Sequence, residues 1–506
     1  MKKKVSQIKG GIVLSYLSLI VSNGIGLVYT PIMIRLLGQS EYGLYNLVAS
    51  FVSYLGLLSF GFDNTYLRYY VQYKHKESRE KVASLNGMFL IVFTVIGILA
   101  GVCGMVLRNY ADALFGAKLT AAEIETAKNL MVLLVINIAI AFPAKLFSTY
   151  VNANEKFIFS KVLNMVKSIL NPLIVLPLLL MGYKSYALVL STLIYSVIID
   201  LANVYYCFAK LDMQIRFKNF EFKVFKGIAA FSFFVFLGEI VDEINWQLDK
   251  FLLGRYCGTI AVAVYGVASS LSAYFRQFSV AVSGMFGPRV NKIVAKSDNN
   301  TEITDLLIKV GRVQFLILSL VAVGFVFCGK EFCVLWAGEA YAGSYIIAVA
   351  LILPSMIPLI QNVGISVLTA RNKHKFRSVA YFFIALANLA ISIPLCQRFE
   401  GLGCALGTGI SMLIGNGLII NLYYKKMGLE IGRFWKSILS LSKGLLPMIL
   451  AGIVSMQIPF RYTFLDLLIR IAVLAAMYAV GMLAFGMNAD EKEMCKSILK
   501  KVQLLR

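Results

Sequence analysis

One helix-length segment holds most of the chemistry this sequence offers: Gly238-Glu239-Ile240-Val241-Asp242-Glu243-Ile244-Asn245-Trp246-Gln247-Leu248-Asp249-Lys250. At 3.6 residues per turn, Glu239, Asp242, Glu243, Trp246, Asp249 and Lys250 recur at spacings of three and four, so they share one helix face. Carboxylates arranged in this way can hold a cation or pass a proton. If the segment crosses a membrane, each ionised residue turned to lipid costs about 2.5–3.5 kcal/mol. Five of them would cost on the order of 12–18 kcal/mol, more than a domain's usual net stability. The face must therefore meet water or protein. Asp249 and Lys250 have a second reading, as residues at the outer headgroup level, and Glu243 as a member of an internal pair.

Arg276 stands well inside the next apolar block, in Ser272-Ala273-Tyr274-Phe275-Arg276-Gln277-Phe278. A deep guanidinium either pairs with a carboxylate such as Glu243 or grips an anionic substrate. Its planar fork makes bidentate, charge-assisted bonds that suit phosphate. Arg35 and Arg68, at opposite ends of the first two blocks, can do the same or snorkel to headgroups. Asp63-Asn64 is the expected partner of Arg68. No catalytic site is evident: the chain shows no nucleophile–base pair and no Gly-rich phosphate loop with a Lys. His75 and His374 fall in basic loops, and Cys328 and Cys333 have no histidine near enough for a zinc site. No metal site and no cofactor are expected, beyond a Na+ or H+ coupling ion.

The elements that must carry these residues are membrane helices. The 506 residues are 59% hydrophobic and only 15% charged, whereas a soluble domain is roughly a quarter charged. The apolar residues fall in about fourteen blocks, from 10–37 and 42–67 through 379–396 and 403–424 to 464–485, each near the ~20 residues that span a hydrocarbon core. An all-α polytopic membrane protein follows. The N-terminal apolar stretch is too long for a signal peptide and reads as a retained first helix.

The net charge of +23 raises nucleic acid as a partner, and its distribution argues against one. Roughly three quarters of the Lys and Arg lie in alternate loops, such as Lys74/Arg79/Lys81, Arg216/Lys218/Lys223 and Arg371/Lys373/Lys375, and in the tail 492–506. Positive-inside bias places these loops and both termini in the cytoplasm, next to anionic lipid headgroups.

An internal repeat organises the blocks. Gly11-Ile12 recurs as Gly227-Ile228, and the same offset carries Leu36-Leu37-Gly38 onto Leu252-Leu253-Gly254. With small changes of offset, Tyr45, Ser50 and Tyr54 meet Tyr265, Ser270 and Tyr274, and Lys156-Phe157 meets Lys375-Phe376. The offset spans an even number of helices, so the copies enter the membrane the same way up. Parallel repeats of this kind place substrate between the halves. The expected organisation is an N-lobe (1–226), a C-lobe (227–440) and a final helix pair with a cytoplasmic tail (441–506), with the lobes around a central cavity. The positions aligned with the acidic face in the first helix are Asn23, Gly26 and Thr30, so ion coupling is expected in the C-lobe. Pro354 and Pro358, in one block, are the expected site of a bend.

These landmarks resemble the polysaccharide transporters of the MOP superfamily, the Wzx-type flippases of lipid-linked oligosaccharides. The resemblance runs through Pro31-x-x-x-Arg35-x-Leu37-Gly38-x-x-Glu41-Tyr42-Gly43-x-Tyr45 and Gly61-x-x-x-x-x-Leu67-Arg68-Tyr69. It continues in Asn245-Trp246-x-x-Asp249-Lys250-x-x-Leu253-Gly254 and Val264-Tyr265-Gly266-Val267-Ala268. It implies alternating access that carries an undecaprenyl-diphosphate-linked sugar unit from inner to outer leaflet for O-antigen, capsule or exopolysaccharide. Ion coupling would fall to Glu239, Asp242, Glu243 and Asp249, and substrate contact to Arg276, Arg35, Arg68 and Trp246. Implied partners are the polysaccharide polymerase and chain-length machinery. A multidrug or cation antiporter and a lipid II flippase are neighbouring alternatives. A glycan polymerase or ligase would need catalytic residues in large outer loops, and the longest, 108–126, holds Asp112, Glu123 and Glu125 without His or Cys.

Overall fold

The computed structural model describes residues 2–75, 78–116, 118–218, 222–284, 286–296, 298–371 and 373–493. The side chains of His75 and His374 lie outside the described residues. No strand occurs among the described residues. Helix is the form an apolar chain takes when no water is at hand, because it satisfies each backbone polar group within the segment.

In chain order the helices are α1 (Lys2–Leu37), α2 (Gln39–Ser53), α3 (Phe62–His75), α4 (Arg79–Asn109), α5 (Ala111–Phe115), α6 (Ala121–Ala153) and α7 (Phe157–Leu180). There follow α8 (Lys184–Leu211), α9 (Phe222–Tyr256), α10 (Thr259–Ser283), α11 (Gly287–Lys296), α12 (Asn300–Ala337), α13 (Ser344–Ile360) and α14 (Val363–Ala370). The last are α15 (His374–Met412), α16 (Asn421–Lys426), α17 (Ile431–Leu441), α18 (Leu446–Gln457) and α19 (Phe464–Gly481).

Among the described residues, nine helices are long and apolar enough to cross a membrane, or ten if α13 and α14 count as one bent span. The sequence-based expectation is about fourteen blocks, and local breaks account for part of the difference. The run Phe376–Lys426 has 51 residues, about 75 Å if straight, which is far more than one crossing needs. It turns at Glu400, whose φ of 49° and ψ of −129° are not helical. Two helices meet there, matching the separate expected blocks 379–396 and 403–424. The expected block 42–67 is interrupted instead: α2 passes into a tight turn at Tyr54–Ser59, then Phe60 and Gly61 take φ of 47° and 65° before α3 begins. The bend of 44° between α13 and α14 falls between Ile360 and Val363, whereas α13 continues through Pro354 and Pro358, the expected site of the bend.

By packing, the chain forms two units: Met1–Gly266 with Tyr381–Cys404, and Val267–Ala380 with Ala405–Arg506. In the first unit α4 and α8 pack on α6, α7 lies along α1, and α9 lies against α2. Fully buried Asn86 of α4 accepts from Tyr66 Oη at 2.6 Å and donates to Gln214 O at 2.8 Å, tying the segment after α8 to this bundle. In the second unit α12 is central, packed by α13, α17, α18 and α19. Arg312 of α12, 5% exposed, pairs with Glu491 beyond α19 at 2.5 Å and donates to Ser437 O and Ser440 Oγ of α17 at 2.7 and 3.0 Å.

A similar ring contact occurs in each unit. Phe159 stacks on Tyr206 at 3.9 Å and 12° in the first unit, and Phe376 stacks on Tyr423 at 4.0 Å and 16° in the second. One offset relates the two stacks, but it sets Phe376 on Phe159, not on Phe157 as the sequence match has it.

Candidate functional site

The acidic face lies on the C-terminal half of α9, against α2 and the turn that follows it. Serines on those neighbours meet the carboxylates. Ser59 Oγ donates to Glu239 Oε2 and Ser53 Oγ to Glu243 Oε2, each at 3.1 Å. Farther along, Asp249 is 2% exposed, and one of its oxygens accepts a short bond from Tyr265 Oη. The side chain of Asp242 lies outside the described residues. Trp246 and Lys250 are half-buried on the same helix.

These pairings show what the face can do. A carboxylate desolvated between helices is costly unless it is hydrogen-bonded, and a serine hydroxyl meets that need while keeping lone pairs for a cation. Glu239 and Glu243, one turn apart on α9, are thus each a carboxylate supported by a serine hydroxyl.

Beyond Asp249 the same elements close tightly. Phe51 of α2 stacks on Phe251 at 5.7 Å, and Phe115 meets both rings edge-on at 5.6 and 5.9 Å. Gly43 is pressed on the start of α10, where an added Cβ would sit 1.8 Å from Thr259 O. Glu123 ties this end together: its Oε1 accepts from Ser40 Oγ of α2 at 2.7 Å and from Thr259 Oγ1 at 2.9 Å. Its other oxygen completes a capping box with Thr120 at the start of α6. Replacing Glu123 by alanine removes the box and both ties. We expect a loss of about 1–2 kcal/mol, read as a lowered unfolding midpoint of the purified protein; Ser40→Ala, which leaves the capping box and the Glu123–Thr259 tie in place, should cost less.

The remaining expected residues lie on other elements. Arg35 and Arg68 are exposed, in the last turn of α1 and on α3. Asp63, the expected partner of Arg68, pairs with Lys145 at 3.3 Å. Arg276 is half-buried in the part of α10 that belongs to the second unit and donates to Ser272 Oγ at 3.3 Å. Among the described residues no group of three or more His, Cys, Asp or Glu is placed to hold a metal ion. A further cavity of about 640 Å³ opens in the first unit between Tyr70, Lys74, Arg79, Tyr150, Asn154 and Asp212. There Lys74 Nζ donates to Asn154 Oδ1 at 2.6 Å. Neither this cavity nor Glu123's role was drawn from the sequence, although Thr120-x-x-Glu123 is a legible helix-start signature.

This helical architecture is that of MOP-superfamily membrane transporters. The chain superposes on the lipid II flippase MurJ in an inward closed conformation with a TM-score of 0.72, at 18% identity, covering 93% of this chain and 97% of that one. It superposes on a multidrug resistance MATE family transporter in its inward-facing conformation with a TM-score of 0.64, at 13% identity, covering 83% and 96%. Residues 8–294 match the family described as "Polysaccharide biosynthesis protein", and the chain belongs to that family. A relative from Shigella flexneri named "Putative O-antigen transporter" is 22% identical over 400 residues, 78% of this chain and 92% of its own.

Proposed function

We propose that this chain is a flippase for undecaprenyl-diphosphate-linked oligosaccharide units, moving them from the inner to the outer leaflet of a bacterial cytoplasmic membrane by alternating access. The family match over residues 8–294 carries the reading, and the O-antigen transporter relative agrees with the substrate class. The repeats 1–226 and 227–440 act as the two lobes, with 441–506 as an added helix pair and tail, in about fourteen crossings in all. Basic loops and both termini face the cytoplasm. Arg276, Arg35 and Arg68 meet the diphosphate, Trp246 meets the sugar, and polymerase and chain-length machinery consume the product. The chain carries its substrate without chemical change.

Depleting the protein should trap lipid-linked glycan on the cytoplasmic leaflet. Unchanged surface glycan after clean deletion, in a strain with no second carrier, would end the proposal. The drive is a cation or proton held at Glu239, Asp242, Glu243 and Asp249. Its supports are the serine-backed carboxylates of α9 and the cost of ionised groups facing lipid. Replacing Glu239 and Asp242 together, by Gln and Asn, is expected to abolish ion-dependent flipping in proteoliposomes while the protein still folds. Full retained activity would refute the coupling role. An acidic face also suits organic cations, so a cation exporter is the second reading; it requires drug susceptibility, not surface glycan, to change on deletion.

A further inference from the structure

We propose that Cys257 and Cys396 form a reversible disulfide that locks the end of α9 to α15. Cys257 lies in the turn between α9 and α10, Cys396 in α15 just before the turn at Glu400, and their sulfurs are 3.9 Å apart across 139 residues of chain. Both belong to the first packed unit and both are free thiols. A disulfide needs sulfurs 2.03–2.05 Å apart, so closure requires about 2 Å of approach, within reach of side-chain rotation toward a neighbouring rotamer.

A third thiol, Cys404, sits on the far side of the same turn. Gly403 is pressed on the backbone of Leu395 there, with an added Cβ only 1.9 Å from Leu395 O, and Cys404 and Cys396 share a thiol contact. Cys404 Sγ also reaches Asp249 O at 4.0 Å. The roles follow from access. Cys396 and Cys404 are both wholly buried, whereas Cys257 is partly exposed. Cys257 is therefore the thiol an oxidant meets first, and Cys396 resolves.

The oxidant is a disulfide, R–S–S–R. The Cys257 thiol gives up its proton and its thiolate attacks one sulfur, forming a mixed disulfide; the departing thiolate takes a proton and leaves as RSH. The Cys396 thiolate then attacks Cys257 Sγ and releases the second RSH. Two protein thiols lose two electrons and two protons, and one disulfide becomes two thiols. In cells the bond depends on the orientation given under Proposed function, which puts this end on the outer face where disulfides persist.

The test uses the purified full-length protein in detergent with oxidised glutathione, and so reads neither transport nor orientation. Two of the eight cysteines should lose their free thiols, mass spectrometry should find the Cys257 and Cys396 peptides joined, and dithiothreitol should separate them. Cys396→Ser should stop at glutathione on Cys257, while Cys404→Ser should still cross-link. Eight thiols that stay reduced, a bond between Cys396 and Cys404, or a cross-link lost in Cys404→Ser would overturn the proposal. In intact cells carrying Cys396→Ser, a membrane-impermeant maleimide added outside should label Cys257. Labelling only after permeabilisation would place the thiols in a reducing compartment and overturn the bond in cells.

Discussion

Replacing Arg312 by methionine should destabilise the second unit by about 3–5 kcal/mol, the cost of leaving one member of a buried ion pair alone. The two partners are 5% and 8% exposed. The pairing is bidentate, with Nε on Oε1 at 2.5 Å and Nη2 on Oε2 at 2.7 Å, and Nη1 turns to Ser437 O and Ser440 Oγ of α17. One guanidinium thus joins α12, α17 and the segment after α19. Removing it strands the Glu491 carboxylate where little water can reach it. Removing both charges, in Arg312→Met with Glu491→Leu, takes away the stranded charge and should recover most of the loss, because an apolar pair of similar volume often serves as well. Unfolding midpoints of the detergent-solubilised protein decide it. Equal midpoints for parent and single variant, or a double variant worse than the single, would remove the hub from the account.

Gly43→Leu should have the other large effect. The site of its Cβ is 1.8 Å from Thr259 O and 2.6 Å from Thr259 C. Backbone atoms cannot rotate aside as a side chain can, so α2 and the start of α10 must part. Parting them breaks the Glu123 bridge between Ser40 and Thr259 and unpacks Phe51 from Phe251. Overpacking of this kind costs about 3 kcal/mol or somewhat more. Gly254→Ala is the informative contrast. Its added Cβ would meet Leu47 Cδ1 at 2.3 Å, but that is the end of a flexible side chain, so the loss should be smaller. If closure of this end belongs to the transport cycle, Gly43→Leu should also abolish surface glycan while Gly254→Ala retains some. A Gly43→Leu protein that melts with the parent would show that the close approach adds little to stability.

The helical class and the acidic face were legible in the sequence because each depends on local order. Apolar blocks near membrane length and the one-turn spacing of Glu239 and Glu243 need no knowledge of what lies opposite. Pairwise contacts across the chain are a different matter. Ser53 finds Glu243 from 190 residues away and Arg312 finds Glu491 from 179, and no spacing rule specifies either partner.

What the sequence by itself determined was the all-helical class and which residues are costly to turn toward lipid, since backbone satisfaction and desolvation act residue by residue. Only the tertiary structure decided which serine covers which carboxylate, that Glu123 bridges Ser40 and Thr259, and that Cys257 lies beside Cys396. Those outcomes depend on which helix faces meet and how closely, and a glycine as small as Gly43 sets that distance only once its neighbour is in place.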